Sequence, residues 1–114
     1  MATRILSWLL ALLFVVSGVP KLIGVAQVVA AFEHMGYSAS FRILIGVLEI
    51  AGGVALLIPA VALYGAGLLI VIMIGAVWSV LRIGESPAPP LIVGALLALL
   101  ATLRLRQASS KTAA

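Results

Sequence analysis

The sequence predicts an all-α fold: an integral membrane four-helix bundle, with a short amphipathic helix between spans 1 and 2. Three observations carry this. The chain has 114 residues, is 65% hydrophobic and only 9% charged, and has a mean hydropathy of +1.37; a soluble domain of this size buries too small a fraction of its surface to hide that much apolar area. The apolar residues gather into four runs, at about 5–23, 41–58, 61–81 and 90–104. The glycines, prolines and charges that punctuate them fall where a chain crossing a bilayer would turn. All four runs belong to one transmembrane domain, residues 1–114, with no linker.

Residues 1–4 are a short basic start. The first run begins like a signal peptide, with one arginine, an apolar core and the small pair Ser17-Gly18. Its apolar character continues past Gly18, so it is expected to stay as a span, and Pro20, whose ring frees the Val16 carbonyl, is expected to bring either a kink or a bound polar group near Ser17. Residues 25–40 differ. Val25, Val28, Val29 and Phe32 share one face before Glu33, His34 and Gly36 end the pattern, as in an interfacial helix followed by a turn. The second run, 41–58, is about 27 Å long at ~1.5 Å per residue. Pro59-Ala60 makes a short hairpin connection to the third run. Residues 82–90 hold three prolines and a glycine and read as a loop. The fourth run is short, but Pro89-Pro90 can open its helix and Arg104 can snorkel past its end. Residues 107–114 are small and polar and are expected to form a disordered tail.

Composition narrows the function. Cysteine is absent and there is one histidine, which excludes thiol chemistry and multi-ligand thiolate or imidazole metal sites in this chain. No metal site, phosphate loop or nucleophile triad is present. The net charge of +4 would suggest a nucleic-acid partner in a soluble protein. Here the basic residues sit at membrane edges, and no nucleic-acid partner is expected. Arg4, Arg104, Arg106 and Lys111 lie on the side of both termini with no acid. Arg42 and Arg82 on the other side are offset by Glu33 and Glu85. The positive-inside bias then puts both termini in the cytoplasm and the chain in a plasma or inner membrane.

The topology brings the polar residues to one half of the bundle. Lys21 ends the first span, Arg42 begins the second, Trp78 and Arg82 end the third, and Glu49 lies about 12 Å along the second. A carboxylate at that depth costs roughly 2.5–3.5 kcal/mol by insertion scales, so Glu49 should meet a partner or a cavity. Lys21 is within reach, with Ser17 one turn earlier. The spacing suggests inward stripes: Ser7, Ala11, Phe14, Gly18 and Lys21; Arg42, Gly46, Glu49, Gly53 and Leu56; Tyr64, Leu68, Val71, Gly75, Trp78 and Arg82; and Gly94, Ala98 and Ala101. The candidate site is therefore Glu49 as the proton-exchanging group, with Ser17, Lys21, Arg42, Trp78 and Arg82 as binding residues. Each has a plainer reading. Lys21 can snorkel while Glu49 serves packing, Trp78 with Arg82 and Tyr64 suit interfacial anchors, and His34 beside Glu33 suits a solvated loop pair.

At Ser17-Gly18-Val19-Pro20-Lys21-Leu22, then Phe32, Gly36 and Gly46-Val47-Leu48-Glu49-Ile50-Ala51-Gly52-Gly53, the chain resembles the DoxX-like membrane proteins. That family's pattern looks like Ser-Gly-x-x-Lys-Leu late in helix one and Gly-x-x-Glu-x-x-Gly-Gly in helix two. The likeness covers nearly the whole chain and implies a four-helix inner-membrane protein linked to redox systems. Relatives include the membrane subunit of a thiosulfate:quinone oxidoreductase and a small membrane partner of thiol- and superoxide-handling enzymes. It carries Ser17, Lys21 and Glu49 over as motif residues. The lack of cysteine counts against thiol exchange by this chain itself.

The leading expectation is a redox-associated membrane subunit, at most one subunit of a membrane oxidoreductase. It would bind a quinone or similar lipophilic ligand, carry no covalently bound cofactor, and work with a membrane or peripheral protein partner or as a homo-oligomer. A second is an accessory scaffold in which Lys21–Glu49 is an internal clip. A third is a small multidrug-type transporter; those carry their glutamate in the first helix, whereas here it is in the second.

Overall fold

The computed structural model describes residues 2–113, with side chains for residues 2–107. It is all-helical: α1 (Ala2–Ile23), α2 (Ala26–His34), α3 (Ala39–Ala55), α4 (Ala62–Arg82) and α5 (Ala88–Ala113). α1, α4 and residues 88–107 of α5 are each long and apolar enough to cross a bilayer. A fourth crossing is counted when α2 and α3, bent by 115° at their break, are taken together. The chain is a multi-pass membrane protein, and its long helices form a helical bundle.

Local sequence explains the breaks. Gly24, Gly36 and Gly84 all have positive φ, the left-handed geometry that glycine adopts without strain. At Gly36 the Tyr37 amide donates to the Phe32 carbonyl and the Gly36 amide to that of Glu33, a Schellman cap that closes α2. Ser38 then caps α3 by accepting from the Phe41 amide at 3.2 Å. Pro89 and Pro90 fall in the first turn of α5, where their missing N–H groups cost nothing. α1 runs unbroken through Pro20.

Close backbone approaches set the packing. A Cβ on Gly18 would lie 2.7 Å from the Gly46 carbonyl oxygen, and one on Gly53 would lie 3.2 Å from that of Ala11. α1 and α3 therefore run antiparallel in contact. Gly52 against Leu69 and Gly65 against Ala55 make α3 and α4 antiparallel in turn. α4 packs on α5, and α5 closes back onto α1. One end of the bundle carries Thr3, the 56–61 turn and Arg104; the other carries Lys21, α2, Arg42 and Arg82. Leu10, Phe14, Leu56, Ala66, Leu69, Leu97 and Leu100 form the core. Side chains such as Leu9, Leu12, Val71 and Ile74 stay exposed, as lipid-facing residues do.

The stripes expected on the first two spans match the buried faces: Ser7, Ala11, Phe14 and Gly18 on α1, and Gly46, Glu49, Gly53 and Leu56 at α3 and its end. Those on the last two need correction. α4 buries Ala62, Gly65, Ala66, Leu69 and Ser79, while Tyr64 is 80% exposed. Almost every residue of α4 is apolar, so a 3–4 spacing fits several faces, and the smallest residues decide which one touches a neighbour. α5 likewise buries Leu97 and Leu100, not Ala98. Residues 107–113, expected as a disordered tail, continue α5; residue 114 lies outside the described residues. No glycine or proline follows Gly94, and the Leu-Arg-Gln-Ala content after Leu103 favours continued helix.

Candidate functional site

The tight contact of Gly18 on Gly46 fixes the register of α1 against α3. Lys21 lies one turn beyond Gly18 with its Cβ against Gly46, and its side chain folds back past Ser17 to reach Glu49, one turn beyond Gly46 on the antiparallel helix. Lys21 Nζ lies 3.1 Å from Glu49 Oε1 and 3.1 Å from Oε2. Glu49 is 3% exposed. Lys21 Nζ also donates to Ser17 Oγ at 2.8 Å and to the Ser17 carbonyl at 3.2 Å, so its three N–H groups are all engaged. Ser17 Oγ accepts from Lys21, which leaves its own hydrogen free to donate elsewhere. Arg42 Nε donates to the Lys21 carbonyl at 2.9 Å, satisfying one of the last carbonyls of α1. Arg42 therefore braces the backbone that carries Lys21.

Ser17, Lys21 and Glu49 line one wall of a cavity of about 600 Å³ that lies between α1, α3, α4, α2 and the start of α5. The rest of the lining is mostly apolar and aromatic, including Phe14, Phe32, Phe41, Leu68 and Trp78. Arg42 and Arg82, expected as binding residues, are not part of that lining. Arg82 instead bonds the Met35 carbonyl at the end of α2, and its guanidinium lies 4.8 Å from the Trp78 ring and 5.5 Å from that of Tyr37. Trp78 is 60% exposed and edges the cavity. The expected residues thus divide into Ser17, Lys21 and the buried Glu49 at one wall, Arg42 behind Lys21, and a cation–aromatic cluster of Trp78 and Arg82 at the rim.

Two lining residues escaped the sequence reading. Tyr37 stacks between Phe32 and Phe41, with centroids 6.1 and 4.7 Å away, and its hydroxyl pairs with Ser79 Oγ. Ser79 in turn donates to the Gly75 carbonyl at 2.8 Å, so in this pair Tyr37 is the donor. The signal for Ser79 was a lone hydroxyl buried in an apolar span, one residue off the expected stripe. The signal for Tyr37 was its position just after the Gly36 cap, where the chain folds back. His34 and Glu33 are exposed on α2, outside the cavity. No group of three metal-ligating side chains occurs among the described residues.

Chemically, the site offers one free hydroxyl donor, one carboxylate held by an ammonium, and an apolar space lined in part by aromatic side chains. That set suits a lipophilic molecule with a carbonyl or hydroxyl group, bound from the bilayer. A family model for the DoxX-like family matches residues 5–103, which includes Ser17, Lys21, Glu49 and the whole cavity lining. No curated protein and no solved structure matches the chain.

Proposed function

The chain belongs to the DoxX-like family, and from that premise we propose that its cavity binds a quinone or similar lipophilic carbonyl ligand for a partner oxidoreductase. The observation that carries this reading is the buried Lys21–Glu49 pair on the wall of an aromatic-lined cavity of about 600 Å³. A pair needed only for packing gains nothing from facing empty apolar space. A bound quinone would supply the acceptor for two electrons and two protons. The chain's own residues do the rest. Ser17 Oγ donates to a ligand oxygen. Glu49 takes up and releases protons at its carboxylate. Lys21 holds Glu49 in place, and Arg42 holds Lys21. Tyr37, Trp78 and Arg82 form the rim through which the ligand enters. Electrons must come from a partner that carries a redox group, because no side chain here supplies one. The excess of basic residues around both termini supports a cytoplasmic placement of those termini in an inner-membrane protein.

Trp78 lines the cavity, whereas Trp8 lies at the opposite end of the bundle. In a Trp8→Phe background, titration with a short-chain benzoquinone should quench Trp78 fluorescence saturably. Adding Glu49→Gln should weaken that binding at least tenfold in protein that still inserts and melts as a folded species. Quenching that is linear without saturation, or equal affinity in the Glu49→Gln protein, would contradict the proposal.

A second reading has its own support. The Lys21–Glu49 bond joins α1 to α3 one turn from the tight contact of Gly18 on Gly46, as a clip in an accessory scaffold subunit would. That reading expects the exchange Lys21→Glu with Glu49→Lys to restore assembly fully, with no quinone binding in either protein.

A further inference from the structure

The end of the bundle that carries both termini has a second cavity, of about 580 Å³, away from the one above. Its lining includes Arg4, Ser7, Trp8, Pro59, Arg104 and Gln107. Arg104 was expected to snorkel past the end of the fourth span. Because α5 continues, it turns into the bundle instead. Its Nη2 donates to Ser7 Oγ at 2.9 Å and to the Leu56 carbonyl at 2.9 Å. Ser7 Oγ donates on to the Thr3 carbonyl at 2.7 Å, and Gln107 Nε2 donates to Thr3 Oγ1 at 3.0 Å. Arg104 Nε is buried and has no partner among the described residues. A buried guanidinium N–H without an acceptor carries an uncompensated desolvation cost.

The charge balance here is one-sided. The chain has three acidic residues, Glu33, Glu49 and Glu85, and none is in this lining. Arg4 and Arg104 therefore face a polar cavity with no counter-charge among the described residues that line it. The first N–H groups of α1 open at the same place, since the helix starts at Ala2; they add positive potential to it. Trp8, 60% exposed, and the apolar walls at Leu57 and Pro59 put the cavity at the level where headgroups meet acyl chains.

We propose that this cavity holds the phosphate of an anionic phospholipid. The Arg4 and Arg104 guanidinium groups grip the phosphate oxygens in charge-assisted hydrogen bonds, and Arg104 gains there an acceptor that the described residues do not give its Nε. The headgroup's glycerol lies along Ser7 and Gln107, and the acyl chains leave past Trp8. A basic pocket between transmembrane helices is the usual form of such a site. The occupant would lock α1, α5 and the α3–α4 turn together. This site is independent of the quinone reading and stands or falls separately.

The test is native mass spectrometry of the full chain, solubilised with equal amounts of phosphatidylglycerol and phosphatidylcholine of the same acyl chains. The expected result is one retained phosphatidylglycerol, preferred at least tenfold, with the preference lost in Arg104→Gln. Arg104 also ties three helices, so Arg4→Gln serves as the second variant. Among the described residues Arg4 makes no side-chain hydrogen bond or ion pair, and its loss should cut the preference several-fold in protein with an unchanged circular dichroism spectrum. Equal retention of the two lipids by the unaltered chain, or an unchanged preference in Arg4→Gln, overturns the proposal. Stabilisation by millimolar inorganic phosphate that matches phosphatidylglycerol's, and depends on Arg4, also overturns it by assigning the site to a soluble anion.

Discussion

Gly18→Ala is the smallest change that should disturb the whole arrangement. The added Cβ would lie 2.6 Å from Ile50 Cγ1 and 2.7 Å from the Gly46 carbonyl oxygen. Ile50 can turn its side chain, but the carbonyl is held in helix α3. To restore ordinary contact, α1 and α3 must part by about 0.7 Å. Overpacking of this kind costs typically 1–3 kcal/mol, and it strikes where the helices set the Lys21–Glu49 distance. The control is Gly67→Ala, whose Cβ would have nothing within 4 Å; it should be neutral or stabilise by up to about 1 kcal/mol through helix propensity. Reversible unfolding in mixed micelles, followed by circular dichroism as the dodecyl sulfate fraction rises, measures both. Gly18→Ala should unfold at a clearly lower fraction than the unaltered chain and Gly67→Ala at an equal or higher one. Equal stability of the two variants would refute the claim that backbone contact at Gly18 sets the register.

Two further outcomes follow from the same contacts. Lys21→Met should destabilise by about 3–5 kcal/mol, because it strands Glu49 in an apolar wall, whereas Lys21→Met with Glu49→Met should recover most or all of that loss; the same unfolding titration reads both, and additive losses would show that the two side chains do not act as a pair. Tyr37→Phe should cost about 0.5–1.5 kcal/mol, the worth of its bond to Ser79, and should speed amide hydrogen exchange in α2 more than in α4; equal protection of α2 in both proteins would mean that the bond does not hold α2 down.

The two parts of the protein differ in how far they could be read from sequence, for physical reasons. The Lys21–Glu49 contact was legible because charges are rare in an apolar helix and because an antiparallel hairpin leaves few ways to pair two of them. The inward faces of α1 and α3 were legible because Gly18, Gly46 and Gly53 mark close approach. The face of α4 was not. Trp78 and Arg82 look functional by residue type, yet they sit at the exposed rim, and the buried stripe through Gly65, Ala66 and Leu69 is one position away. Tyr37 was hidden because its contact with Ser79 spans a turn whose geometry rests on Gly36. Arg104 was misread because its fate depends on whether α5 ends or continues, and the terminal composition that decides it is weakly apolar but strongly helix-forming.

The cavity beside Lys21 and Glu49 is proposed to hold a lipophilic ligand. Native mass spectrometry of the gently solubilised protein from its own membrane tests that most directly. The claim predicts a copurifying quinone-sized adduct on the unaltered chain that is absent from Glu49→Gln and still present on Arg4→Gln. Identical adducts on the unaltered and Glu49→Gln proteins, or phospholipid as the sole adduct on both, would contradict it.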